Sequence, residues 1–116
     1  MKVIIAGSRT FNDYILLKEK CDHYLSNIEV PVEIVSGTAR GADKLGELYA
    51  IDKGFELKKF PADWENNGKG AGMIRNKQMA EYADALIVFW DGYSKGTQHM
   101  IDTAKKLNLK IKIVKI

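Results

Sequence analysis

Hydrophobic residues are spaced along this chain in two alternating ways. Runs at 3–6, 33–36, 55–60, 85–90 and 110–115 are continuously apolar or mixed with charge over strand length, and predict five β-strands. The segments between them carry apolar residues at helical spacing. Over about 13–27, Tyr14, Leu17, Cys21, Leu25 and Ile28 share a face, and Asn12 or Asp13 is placed to cap it. Leu45, Leu48 and Tyr49 define a second helix at about 41–53, which Gly54 stops. Ile74, Met79, Ala80 and Ala83 define a third at about 71–83, and Thr97, Met100, Ile101, Ala104 and Leu107 a fourth at about 96–108. Regular strand–helix alternation with single crossovers predicts an α/β, three-layer domain with a parallel sheet between two layers of helices.

Strand composition predicts the order. The runs at 3–6 and 85–90 are apolar throughout, as strands buried on both faces must be. The runs at 55–60 and 110–115 interleave lysine and glutamate with aliphatics, as sheet edges do. Central first and fourth strands with the third and fifth at the edges give a five-stranded Rossmann-like sheet in the order 3-2-1-4-5. The alternative order 2-1-3-4-5 would bury the charged third strand. In such sheets ligands bind at the strand carboxyl ends where the order reverses, here between the loops after the first and fourth strands.

Length and composition add bounds. The chain has 116 residues, 46% hydrophobic and 28% charged, without repeat, low-complexity stretch or linker, so residues 1–116 read as a single domain with a core of its own. No apolar run approaches the roughly 20 residues of a membrane span, so no membrane partner is expected. The single cysteine, Cys21, precludes an internal disulfide and fits the reducing cytoplasm. One cysteine and two histidines, His23 and His99, argue against a zinc site; no metal or cofactor is identified. The net charge of +3 is a C-terminal property: five lysines and no acids lie within 105–116, whereas residues 1–104 hold 13 basic and 15 acidic side chains. That acidic balance argues against a nucleic-acid partner and leaves a small anion, with a homo-oligomer open.

The strand-end loops carry the candidate chemistry. They are Gly7-Ser8-Arg9 after the first strand, Ser36-Gly37-Thr38-Ala39-Arg40-Gly41-Ala42-Asp43 after the second, the segment from Pro61 through Trp64 to Arg75-Asn76 after the third, and Asp91-Gly92-Tyr93-Ser94-Lys95-Gly96-Thr97 after the fourth. Eight of the ten glycines lie here, and glycine lets backbone N–H groups approach an anion at a helix N-terminus. Turn formation alone would also use glycine. All three arginines, Arg9, Arg40 and Arg75, lie in or just after these loops, whereas the chain has 15 lysines in all, and arginine's fork suits phosphate. The competing account is helix-capping ion pairs, such as Arg40 with Asp43. Trp64 is either core or a base-stacking ring. His99, in the first turn of the fourth helix, could reach the crevice but reads first as a surface residue. No G-x-G-x-x-G follows the first strand, and Gly68-Lys69-Gly70 is not a P-loop.

These loops resemble a family. Gly7-Ser8-Arg9, Ser36-Gly37-x-Ala39-Arg40-Gly41-Ala42-Asp43, Ala62-Asp63-Trp64 through Gly68-Lys69-x-Ala71-Gly72-x-x-Arg75-Asn76, Ala83-Asp84 and Gly96-Thr97 look like the YspA-like branch of the SLOG (SMF/DprA–LOG) superfamily, a grouping met in bacteria and phages. The resemblance implies a Rossmann-like domain that binds a nucleotide or nucleotide-derived ligand. Its LOG relatives are phosphoribohydrolases that split nucleoside monophosphates. Their G-G-x-G-T-x-x-E segment is similar to 93–100, but Met100 stands where they carry the catalytic glutamate, and Arg75 is similar to their catalytic arginine. Asp102 lies about 200° round the helix from Met100 and is a poor replacement. Asp91, Asp43 or Asp63 would have to supply a carboxylate.

The expected function is therefore binding or sensing of a nucleotide, with N-glycosidic hydrolysis as an alternative in which Arg75 and Asp91 are the catalytic candidates, and single-stranded DNA binding as the weakest. Gly7, Ser8 and Arg9 are expected at phosphate or ribose, and Ser36, Gly37, Thr38, Arg40, Gly41 and Asp43 on a second wall. Gly92, Ser94, Gly96 and Thr97 are expected at a phosphate with Arg75 as counter-charge, and Trp64 and Asn76 beside them.

Overall fold

The computed structural model describes all residues from Met1 to Ile116. Five strands form one parallel sheet: β1 (Lys2–Gly7), β2 (Glu33–Ser36), β3 (Glu56–Lys59), β4 (Ala85–Trp90) and β5 (Lys110–Lys115), in the order β3-β2-β1-β4-β5. The order, and the placing of both charged strands at the edges, are those expected from composition. The connections are α1 (Tyr14–Leu25), α2 (Ala42–Lys53), a short α3 (Trp64–Asn67) continuing through a 3₁₀ turn (Gly68–Gly70) into α4 (Ala71–Tyr82), and α5 (Lys95–Lys106).

Strand alternation sorts the core into two layers. Val3 and Ile5 of β1, Ile34 of β2, and Ile87 and Phe89 of β4 face Leu17 and Cys21 of α1 and Tyr49 and Ala50 of α2. Ile4, Ala6, Val35, Leu86 and Val88 face the other way, onto Met79 and Ala80 of α4 and Met100, Ile101 and Ala104 of α5. The chain thus winds outward from β1 to β3 with α1 and α2 on one face. It then crosses to β4 and β5 with α4 and α5 on the other, which opens a crevice beyond the ends of β1 and β4.

Three residues expected inside lie outside: Leu48, Ile74 and Leu107 are exposed. The reason in α2 and α4 is that polar side chains take the inward positions. Asp43 and Glu47 are buried in α2, and Arg75 and Asn76 in α4. Apolar periodicity therefore points to the wrong face at Leu48 and Ile74.

Two glycines set the approach of the first loop. A Cβ on Gly7, whose φ is 155°, would stand 2.2 Å from the Phe89 carbonyl oxygen. One on Gly41, at φ 76°, would stand 2.4 Å from the Ser8 oxygen. Any other residue would push the β1 loop away from both β4 and the start of α2.

Candidate functional site

The crevice between the ends of β1 and β4 is a cavity of ≈ 400 Å³. The β1 end contributes Gly7 and Arg9, and α2 contributes Asp43. The α3–α4 segment brings Trp64, Lys69, Met73, Arg75 and Asn76, and the start of α5 brings Ser94, Lys95, Gly96, Thr97 and His99. Four cationic side chains therefore meet one carboxylate. Ser94 caps α5 through the Thr97 N–H, leaving the positive end of a twelve-residue helix on the cavity wall.

Arg75 is the best-fixed of these cations. It is 9% exposed; its Nη1 donates to the Gly37 carbonyl and its Nε to Asn76 Oδ1 at 3.0 Å. Asn76 in turn donates through Nδ2 to the Gly96 carbonyl at 3.3 Å and to His99 Nδ1 at 3.1 Å. One hydrogen-bonded chain thus ties the β2 loop, through α4, to the first turn of α5. Burial and the neighbouring Arg9 charge draw the Arg75 guanidinium below its ordinary value, with Asp43 opposing them. Gly37 is required for this closeness, since a Cβ there would lie 2.8 Å from both Arg75 Nη1 and Asp43 Oδ2.

Asp43 is the crevice's carboxylate. Burial pushes it up to about 6, against a hydrogen bond from the Ala39 N–H (3.1 Å) and the charge of Arg75. Asp91 has a different place. It lies off the crevice, and its Oδ1 accepts from the Tyr93 and Ser94 N–H groups at 2.8 and 2.9 Å; the Ser94 bond first, then the Tyr93 one, hold its carboxyl below the usual range. Met100 lines the cavity, and Asp102 is exposed, accepting from Gln98.

Other expected residues are scaffolding in their contacts. Ser8 is buried: its N–H donates to the Phe89 carbonyl at 2.9 Å, and its Oγ accepts from the Asp91 N–H at 3.2 Å. Ser36 is fully buried and donates to Glu47 Oε2 at 2.7 Å. Gly41 packs on Ser8, and Gly92 lies against Lys115. Gly37, Thr38 and Arg40 line a second cavity that adjoins the first. The ion-pair account of the arginines does not hold, because all four salt bridges in the structure are made by lysines. Trp64 is 53% exposed and so is not core. Lys69, Met73 and Lys95 join the cavity without having stood out in the sequence, and His99 lines it instead of lying on the open surface. The signal for Lys69 and Lys95 was their position inside the same glycine-bearing loops.

The sequence pattern of the YspA, cpYpsA-related SLOG family matches residues 1–67. The Gene 61 protein of Mycobacterium phage D29 is 33% identical over 116 residues, covering 95% of this chain and 93% of the relative. The chain belongs to the YspA, cpYpsA-related SLOG family.

Among solved structures, that of DNA processing protein A from Helicobacter pylori, described with a unique single-stranded DNA binding mode, superposes with a TM-score of 0.69. It covers 97% of this SLOG chain at 18% identity, while this chain spans 64% of that one. The expectation against a nucleic-acid partner is corrected by this match. A SLOG-type fold is carried by a protein that binds single-stranded DNA, so the acidic balance of residues 1–104 is no argument against one. The physical reason is visible in the crevice: the net charge of a segment averages over its surface, whereas Arg9, Lys69, Arg75 and Lys95 converge on one cavity. No helix is long and apolar enough to cross a membrane.

Proposed function

We propose that the crevice binds a nucleotide unit by its phosphate. The observation that carries this reading is the convergence of Arg75 with Arg9, Lys69 and Lys95 on the cavity that the N-terminal turn of α5 also faces. A helix N-terminus and a fork of guanidinium N–H groups both favour a phosphate over a neutral ligand. Arg75 reaches the cavity with its geometry already fixed by Gly37 and Asn76, so little side-chain freedom is lost on binding. Trp64, more than half exposed on the same wall, offers an aromatic face to a base.

A second reading places the nucleotide unit within a single strand of DNA. It is favoured by the DNA processing protein A likeness. In both readings the same crevice takes the phosphate.

Thermal unfolding in the presence of mono-, di- and cyclic nucleotides tests the proposal. A nucleotide at 100 times its dissociation constant adds about 2.7 kcal/mol of stability, and the free base adds none. Lys69→Ala with Lys95→Ala weakens binding about tenfold without lowering the unliganded melting temperature, since both lysines are exposed and neither is in an ion pair. A flat response across the nucleotide panel contradicts the proposal.

A further inference from the structure

We propose that the cavity adjoining the crevice is a second phosphate subsite, so that the ligand carries two phosphates with a nucleoside between them. This rests on the reading of the crevice as the first phosphate site. The second cavity, of ≈ 430 Å³, shares Arg9, Trp64 and Arg75 with the first and adds Arg40 and Thr38. All three arginines of the chain therefore line it, and no carboxylate does.

Three features of this wall bear on what it can hold. Arg40 is exposed and in no salt bridge. It directly precedes Gly41, the N-cap of α2, where a cation opposes the helix dipole. Thr38, a β-branched residue, is held in the left-handed region at φ 64°, pinned by its N–H to Ser36 Oγ at 3.1 Å. Arg9 and Arg75 line both cavities together, so that their like charges oppose one another. An anion seated among the three guanidinium groups would relieve both the mutual repulsion and the conflict with the α2 dipole. Trp64, which lines both cavities, is positioned for the base between two successive phosphates.

The chemistry is shared by a free dinucleotide and by a stretch of single strand. The test is calorimetric titration of the parent and Arg40→Ala with deoxynucleoside 5′-monophosphates of each base, the matching 5′-phosphorylated homodinucleotides, and longer homopolymer strands. The dinucleotide binds on the order of tenfold or more tighter than the mononucleotide. Arg40→Ala removes that gain and leaves mononucleotide affinity unchanged. A further gain with strand length identifies a nucleic-acid strand as the source of the two phosphates, and equal affinity identifies a free dinucleotide. If mononucleotides bind and dinucleotides bind no tighter, or Arg40→Ala weakens both alike, the second subsite is overturned while the first stands. If neither class binds, both are overturned.

Discussion

Asp43 sits in the crevice among cations, yet its burial outweighs them. The Ala39 N–H and the Arg75 charge favour the carboxylate, but desolvation is the larger effect and raises the group from 3.8 to about 6. Protonation is therefore easier in the folded protein than in the unfolded chain. The stability this contributes is complete below pH 3.8 and is lost as the pH rises through about 6. Asp43→Asn keeps an acceptor for the Ala39 N–H and carries no charge to desolvate. Chemical unfolding from about pH 4 to about pH 7 should show the variant gaining on the parent as the pH rises. A difference that is flat with pH would mean that Asp43 is ionised at no cost. Asp43 was legible in the sequence as a loop-end residue of the Ala39-Arg40-Gly41-Ala42-Asp43 motif. Its burial was not, because spacing along the chain does not report what a second element, here α4 with Arg75, lays over it.

At the scale of elements, α2 lies closest to the sheet where it carries Gly46. A Cβ at that position would stand 2.8 Å from Cβ and Cγ2 of Ile5, in the centre of β1. On an open helix, alanine for glycine stabilises by roughly 0.5–1 kcal/mol. At Gly46 the overpacking against a fully buried strand costs about 1–3 kcal/mol and reverses the sign. Gly96→Ala, in the first turn of α5 with nothing within 4 Å of its added Cβ, is the control and should be neutral or stabilising. Equal stabilisation by both substitutions, measured by denaturant unfolding, would show that α2 can move off the sheet.

The same packing explains which helices could be read from the sequence. α5 follows its apolar spacing, with Met100, Ile101 and Ala104 all buried. α2 follows it only in part: Leu45, Tyr49 and Ala50 pack into the core, but Gly46 and the polar pair Asp43 and Glu47 share that inner face and Leu48 is left outside. The short α3 was invisible within a glycine-rich loop. Its start rests on a single side chain, Asp63, which accepts from the Asn66 N–H at 3.2 Å.

For the whole molecule, strand order was legible because burial on two faces demands apolar side chains. Ala85–Trp90 could only be central and Lys110–Lys115 only an edge. The position of the crevice followed from that order. Its charge did not follow from net charge, because the cations of four separate loops meet only after folding. The reading proposed for the crevice seats a nucleotide phosphate between Arg75 and the start of α5. Backbone amide chemical-shift mapping during titration with nucleoside monophosphates would locate that phosphate. The perturbed amides should cluster at Arg9, Lys69, Arg75 and Lys95–Thr97, with β3 and β5 silent. Perturbations centred on the lysines of β5, or none at saturating nucleotide, would contradict it.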